Sequence, residues 1–207
     1  MITESQIDSI RADMQKQLSE KRYRHTLGVE KEMRALAKIY MPECEAIAAC
    51  AGLLHDITKE FSYDEHMKLF QKYWVELTDA EKNSAALLHA KSGAIFAREC
   101  YPSLVDENIF SAIWKHTTAD GDMSLLDKLL YLADFIEEGR PYSGCLSVRC
   151  AFYEGIKKRE NDKLVFLNEI LIKAYDASLE ALKREGHYVS PETLLAKKST
   201  EEELNSF

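Results

Sequence analysis

The stretch AIAACAGLLHDITKE, residues 46–60, opens with nine small or apolar residues and continues with two adjacent ionisable ones, His55 and Asp56. This run follows Pro42 and predicts a buried helix from Glu43 to about Leu54, because proline is tolerated in the first turn of a helix. Imidazole and carboxylate groups are costly to bury without partners. The stretch therefore predicts a core helix that carries a functional pair at its end.

Helices are predicted almost throughout the rest of the chain. Its 207 residues include only 8 glycines and 4 prolines, a composition that favours helix over strand. An apolar stripe with helical spacing runs from His25 to Tyr40, and no useful strand-like alternation occurs. We expect an all-α fold in a single domain, residues 1–207, with no clear internal boundary.

Composition excludes several classes of protein. The net charge of −8 opposes binding to a nucleic-acid backbone, and the apolar runs are too short to predict a membrane span. Five cysteines without a C-x-x-C pattern are typical of reduced thiols in a cytoplasmic protein. The segment KRYRH at 21–25 concentrates positive charge, which is compatible with binding of a small anionic ligand. A homodimer is also left open.

Further His and Asp residues lie on the apolar faces of other predicted helices. They are His25, His89, His116 and Asp134. A single inward histidine is more often a hydrogen-bonded core residue, and Asp134 could instead pair with Lys128. The whole series, spread over five helices, is better explained by a shared metal site that satisfies all these groups. His66 and His187 have polar neighbours and are predicted to lie on the surface.

Five stretches together resemble the HD-domain metal-dependent phosphohydrolases. The resemblance is closest to the YqeK-type symmetrical bis(5′-nucleosyl)-tetraphosphatases and covers most of residues 20–142. The stretches are RYRHTLGV at 22–29, AGLLHDITKE at 51–60, LLHAKSGAIFA at 87–97, AIWKHTT at 112–118 and LLYLADFIEEGR at 129–140. Expected departures from the family pattern are Ala119 in place of glycine and Glu138 in place of proline.

The resemblance implies an HD-type helical bundle with a metal-binding core at about 20–142 and accessory C-terminal helices at about 147–207. It also implies that this fold holds two divalent or transition metal ions. Iron is the expected metal, while manganese or zinc would suit the same nitrogen and oxygen ligands. The implied ligands of one metal are His25, His55, Asp56 and Asp134, and those of the second are His89 and His116, with Asp56 as the bridge.

The implied reaction is cleavage of diadenosine tetraphosphate into two ADP by a hydroxide bridged between the metals, with Asp56 and Lys59 as catalytic residues. Lys59, one turn after the His-Asp pair, Arg22, one turn before His25, and Arg140 are candidates for binding substrate phosphates. Two alternatives stay open at this point. One is another nucleotide phosphohydrolase of the HD family, and the other is a nucleotide sensor without catalytic activity.

Overall fold

The computed structural model of the protein describes residues 2–159 and 161–206, the side chain of Ala85 excepted. Within those ranges the chain forms eleven α-helices, two short 3-10 helices and no strand, so the all-α prediction is confirmed. The α-helices are α1 Glu4–Gln17, α2 Glu20–Tyr40, α3 Glu45–Leu54, α4 Tyr63–Lys72, α5 Asp79–Lys82, α6 Ala85–Cys100, α7 Glu107–Lys115, α8 Leu125–Ile136, α9 Ser143–Gly155, α10 Lys163–Glu185 and α11 Pro191–Leu204. The 3-10 helices are Pro42–Cys44 and Ile156–Lys158.

Helix α3 lies at the centre of the fold, as its apolar sequence predicts. Every residue from Ala48 to Leu54 is buried, and the helix packs against α1, α2, α7 and α8. Fully burying a leucine such as Leu53 contributes about 1.5–3 kcal/mol, and the small alanines let the neighbouring helices approach closely. The residues that follow α3 are therefore held in the interior between these helices.

Polar caps fix the starts of three helices that carry candidate ligands. The Ser19 side chain accepts from the Arg22 amide at the start of α2, and Asp106 accepts from the Ile109 amide at the start of α7. Ser124 forms a capping box at the start of α8. Replacing such a cap by alanine typically costs about 1 kcal/mol. These caps set where each helix begins and thereby which residues face inward.

The late helices pack onto α8. Helix α10 contacts α8, α9 and α11 and ends at Gly186, which has a left-handed backbone with φ of 68°. Lys128 of α8 is buried and donates to Asn168 at 3.4 Å and to Glu203. Lys128 thus joins α8 to α10 and α11 rather than pairing with Asp134.

Among the residues that the structure describes, no helix combines the length and the apolar character needed to cross a membrane.

Candidate metal centre

The six side chains predicted as metal ligands converge at the C-terminal end of α3. They are His25 on α2, His55 and Asp56 directly after α3, His89 on α6, His116 directly after α7 and Asp134 on α8. Four of them are at most 2% exposed, whereas the side chains of His25 and Asp134 are 13% and 17% exposed. Segments distant in sequence therefore meet at one largely buried point, which opens toward solvent near His25 and Asp134.

Asp56 lies between two groups of histidines. Its Oδ2 atom is 3.6 Å from His25 Nε2 and 3.4 Å from His55 Nε2. Its Oδ1 atom is 3.3 Å from His89 Nε2 and 3.8 Å from His116 Nε2. Each oxygen of this one carboxylate therefore faces a different group.

The distances within each group suit a single metal ion. In the first group Asp134 Oδ1 is 3.0 Å from His25 Nε2 and 3.8 Å from His55 Nε2, and the two nitrogens are 3.3 Å apart. In the second group His89 Nε2 and His116 Nε2 are 3.0 Å apart. Ligand atoms that each lie about 2.0–2.1 Å from one ion are separated by roughly 3 Å.

The outer ring nitrogen of each of these four histidines contacts a protein acceptor. The Nδ1 acceptors are Gly52 O for His55 at 2.7 Å, Ala86 O for His89 at 2.9 Å, Ile113 O for His116 at 2.6 Å and Glu137 Oε1 for His25 at 3.1 Å. A neutral imidazole that donates from Nδ1 keeps a lone pair on Nε2. In this tautomer the inner nitrogens of His89 and His116, which are 3.0 Å apart, both present lone pairs, an arrangement that suits a shared cation.

The carboxylate of Asp56 is incompletely hydrogen-bonded. Asp56 Oδ1 is buried and accepts no hydrogen bond from the described part of the chain, which is costly for a carboxylate oxygen. A cation between Asp56, His89 and His116 would satisfy it. The residues present thus fit divalent metal ions held by nitrogen and oxygen ligands.

Burial and charge set the protonation of the histidines. Burial lowers the pKa of His55 and lowers that of His89 well below its ordinary value, which favours the neutral imidazole that a metal requires. Burial also opposes charge on His25, but hydrogen bonds with Asp134 and Glu137 outweigh it and raise the pKa of His25 to about 9. The carboxylates around His25 therefore favour a positive charge at this position.

Arg22 and Arg140, predicted to bind substrate phosphates, contact the two candidate carboxylate ligands. Arg22 Nη1 donates to Asp56 Oδ2 at 2.7 Å, and Arg140 Nη2 donates to Asp134 Oδ1. Burial would raise the pKa of Asp134, but Arg140 and His25 hold that pKa well below its usual value. Both guanidinium groups thus lie inside the site, with side chains 28% and 30% exposed.

Lys59 lies beside the second group. Its ammonium is 2.9 Å from His89 Nε2 and 3.7 Å from Asp56 Oδ1, and its side chain is 29% exposed. Burial lowers the pKa of Lys59, although Asp56 opposes this shift. Lys59 therefore lies one turn beyond the His-Asp pair and next to the candidate ligands, where the sequence places it.

A cavity of about 500 Å³ opens beside these residues. Its lining includes Lys59, His116, Asp134 and Arg140, together with the start of α9 and the C-terminal part of α10. Cavities of this size are typical of small-molecule binding sites. The accessory helices, to which the sequence assigned no role, therefore form part of the wall.

Sequence reasoning missed two polar residues in the site. Thr117 Oγ1 lies 3.0 Å from His89 Nε2 and 3.2 Å from His116 Nε2. Glu137 contacts His25 across 112 positions of sequence. Both residues lie inside stretches that resemble the HD-domain family, and this resemblance was the signal that could have found them. Their spacing from other polar residues does not single them out.

The prediction that His66 lies on the surface is wrong. His66 is 2% exposed, and its Nδ1 atom is 2.7 Å from Ser92 Oγ. Ser92 Oγ is 2.9 Å from Thr58 Oγ1, which donates to the backbone carbonyl of His89 at 3.0 Å. His66 therefore belongs to a buried network that supports the backbone of a candidate ligand.

Comparisons with known proteins agree with this geometry. The family profile described as "HD domain" matches residues 22–138. A protein of Halalkalibacterium halodurans named symmetrical bis(5′-nucleosyl)-tetraphosphatase is 37% identical over 64% of this chain and 69% of its own length. A Bacillus subtilis protein with the same name is 34% identical over 89% of this chain and 91% of its own.

A solved structure has the same fold. It is described as a "predicted HD superfamily hydrolase involved in NAD metabolism" from Clostridium acetobutylicum, with a TM-score of 0.80 and 31% identity. The match covers 95% of this chain and 97% of that one. The chain thus belongs to the HD-domain family and, within it, to the symmetrical bis(5′-nucleosyl)-tetraphosphatases.

Proposed function

We propose that this protein is a metal-dependent phosphohydrolase of dinucleoside polyphosphates and that it cleaves diadenosine tetraphosphate symmetrically into two molecules of ADP. The observation that carries the proposal is the position of Asp56 between two ligand groups, beside a cavity that also contains Lys59 and Arg140. The names of the relatives support the same substrate class.

In this proposal the two ligand groups hold one divalent cation each. His25, His55, Asp56 and Asp134 would hold one, while His89, His116 and the other oxygen of Asp56 would hold the second. When bound, such ions would supply an activated water near neutral pH and offset the charge that develops on the phosphate oxygens. Iron is the proposed metal, and the nitrogen and oxygen ligands also suit manganese or zinc.

The chain's own cations bind and orient the polyphosphate. Lys59 and Arg140 line the cavity, where their charge-assisted hydrogen bonds hold phosphate oxygens next to the ligand groups. We place Arg22 in the same role from the side of Asp56, which it contacts. The low dielectric around these partly buried groups strengthens each contact with an anion.

Cleavage at an inner phosphorus releases a nucleoside diphosphate. The second pKa of a terminal phosphate is about 6, so this leaving group needs little protonation at neutral pH. The proposal therefore requires no dedicated general acid and no covalent intermediate with the protein.

We also propose that the whole chain folds as one domain without a nucleic-acid partner. The main hydrophobic core includes both Ile7 of α1 and Ala196 of α11, which supports one folding unit. The net charge of −8 opposes a phosphate backbone as a partner.

Product analysis tests the proposal. Protein purified without oxygen is incubated with diadenosine tetraphosphate and iron, manganese or zinc, and the nucleotides are separated by chromatography. ADP as the sole product, absent with Asp56→Ala, is the expected result. AMP together with ATP would overturn symmetrical cleavage, and tight binding without turnover under every metal would indicate a nucleotide sensor instead.

A further inference from the structure

Glu137 differs from the other partners of the histidines. His55, His89 and His116 each place Nδ1 on the carbonyl of the residue three positions earlier in their own segment. His25 lies inside α2 and instead uses a side chain that directly follows α8. The orientation of His25 therefore depends on a contact between two helices.

We propose that Glu137 is a positioning residue that fixes the ring of His25 for metal binding. Its carboxylate is nearly fully buried, with 3% exposure, and its two oxygens have separate roles. Oε1 lies 3.1 Å from His25 Nδ1, and Oε2 accepts from the Gly139 amide at 2.6 Å. With Nδ1–H donated to a carboxylate, His25 presents Nε2 as a more basic ligand.

Two glycines make room for this carboxylate. A Cβ atom added to Gly28 would lie 2.5 Å from Glu137 Oε2, and one added to Gly139 would lie 3.0 Å from the same atom. Gly28 is three residues after His25 and thus on the same face of α2. Both glycines belong to the stretches that resemble the family. The space that the Glu137 carboxylate requires explains why each position is a glycine.

The backbone that carries Glu137 is itself held in place. Arg149 of α9 donates to the carbonyls of Ile136, Glu137 and Arg140, the last at 3.1 Å. Three carbonyls held by one guanidinium leave the segment after α8 little freedom to move. Arg149 lies beyond the residues matched by the HD-domain profile, so an accessory helix supports the orientation of a candidate ligand.

The inference rests on the proposed role of His25 as a metal ligand, and metal binding rather than turnover tests it. Zinc affinity is measured by chelator competition for the wild type, Glu137→Gln, Glu137→Ala and Gly28→Ala. Glu138→Gln is the matched control, because Glu138 is exposed and pairs only with Lys31 among the described residues. Circular dichroism checks that each variant is folded.

We expect one of two zinc ions to bind about 10- to 100-fold more weakly in Glu137→Ala and Gly28→Ala, while the other ion is unaffected. Glu137→Gln should lie between these variants and the wild type, since its amide oxygen still accepts from His25. Nitrogen-detected NMR of the zinc-loaded wild type should show the His25 proton on Nδ1. In Glu137→Ala that proton should exchange faster.

Two results would overturn the inference. Unchanged affinity for both ions in a folded Glu137→Ala would show that His25 needs no such support. An equal loss of affinity for both zinc ions would show that Glu137 has a general structural role. If the protein bound zinc as expected but failed to cleave diadenosine tetraphosphate, the proposed function would fail while this inference stood.

Discussion

Arg22 donates a 2.7 Å hydrogen bond to Asp56 Oδ2, the carboxylate oxygen that faces His25 and His55. A residue predicted to bind substrate phosphate thus contacts the residue proposed to join two metal ions. Binding of an anion near Arg22 and binding of a cation near Asp56 would therefore be linked through this ion pair.

Asp56→Ala should lower metal content below one ion per chain and reduce kcat/KM by several orders of magnitude, because Asp56 serves both ligand groups. Elemental analysis and steady-state kinetics on the same preparation measure both quantities. His187→Ala is the control, since the His187 side chain is 65% exposed. Equal behaviour of the two variants would show that the metal centre is wrongly assigned.

Lys59→Ala should lower kcat/KM by about 10- to 150-fold, the equivalent of a charge-assisted contact of roughly 1.5–3 kcal/mol. Lys59→Glu should lower it further, because it repels a polyanion. Metal content should be unchanged in both variants, since a protonated lysine has no ligand atom. Lys198→Glu, at a side chain that is 73% exposed, provides a charge-matched control. Loss of metal in Lys59→Ala would instead indicate that Lys59 supports the ligands.

Removal of metal by a chelator should lower the melting temperature. Without a metal ion, the inner nitrogens of His89 and His116 lie 3.0 Å apart beside a buried Asp56 oxygen that accepts no hydrogen bond from the described residues. Metal at 100 times its dissociation constant should add about 2.7 kcal/mol to the free energy of unfolding. Thermal unfolding during a metal titration measures this, and Asp56→Ala should show a much smaller shift. A melting temperature insensitive to metal would contradict the proposed site.

His66→Ala should lower the free energy of unfolding by about 1–3 kcal/mol, because it leaves buried hydroxyls short of a partner. Urea unfolding measures this change. The loss in kcat should be smaller than for Asp56→Ala, since His66 acts only through Ser92 and Thr58 on the backbone of His89. A change within about 0.5 kcal/mol would be typical of a surface residue and would contradict the buried network.

The sequence predicted the parts of this fold that depend on local pattern. The apolar run before His55 forms the buried α3. The convergence of the six candidate ligands was also predictable. Each lies on an apolar face or at the end of a buried segment, and burial without a common partner would be costly.

The contacts that the sequence did not predict join residues far apart in the chain. Nothing local indicates that Glu137 meets His25 or that α10 lines the cavity. The polar neighbours of His66 in the segment YDEHMK obscured a helical spacing that could have predicted its burial. His66 and Phe70 are four residues apart and share the buried face of α4.

Part of the cavity wall is encoded separately from the ligand groups. The ligands lie within the region matched by the HD-domain profile, whereas Tyr142–Cys145 and the end of α10 follow it in the chain. Mutations in the later region reshape the cavity without altering a single candidate ligand. Substitutions at Tyr142–Cys145 and at the end of α10 would therefore change what the cavity admits while the candidate ligands are inherited unchanged, and the same division offers protein engineers a segment to diversify.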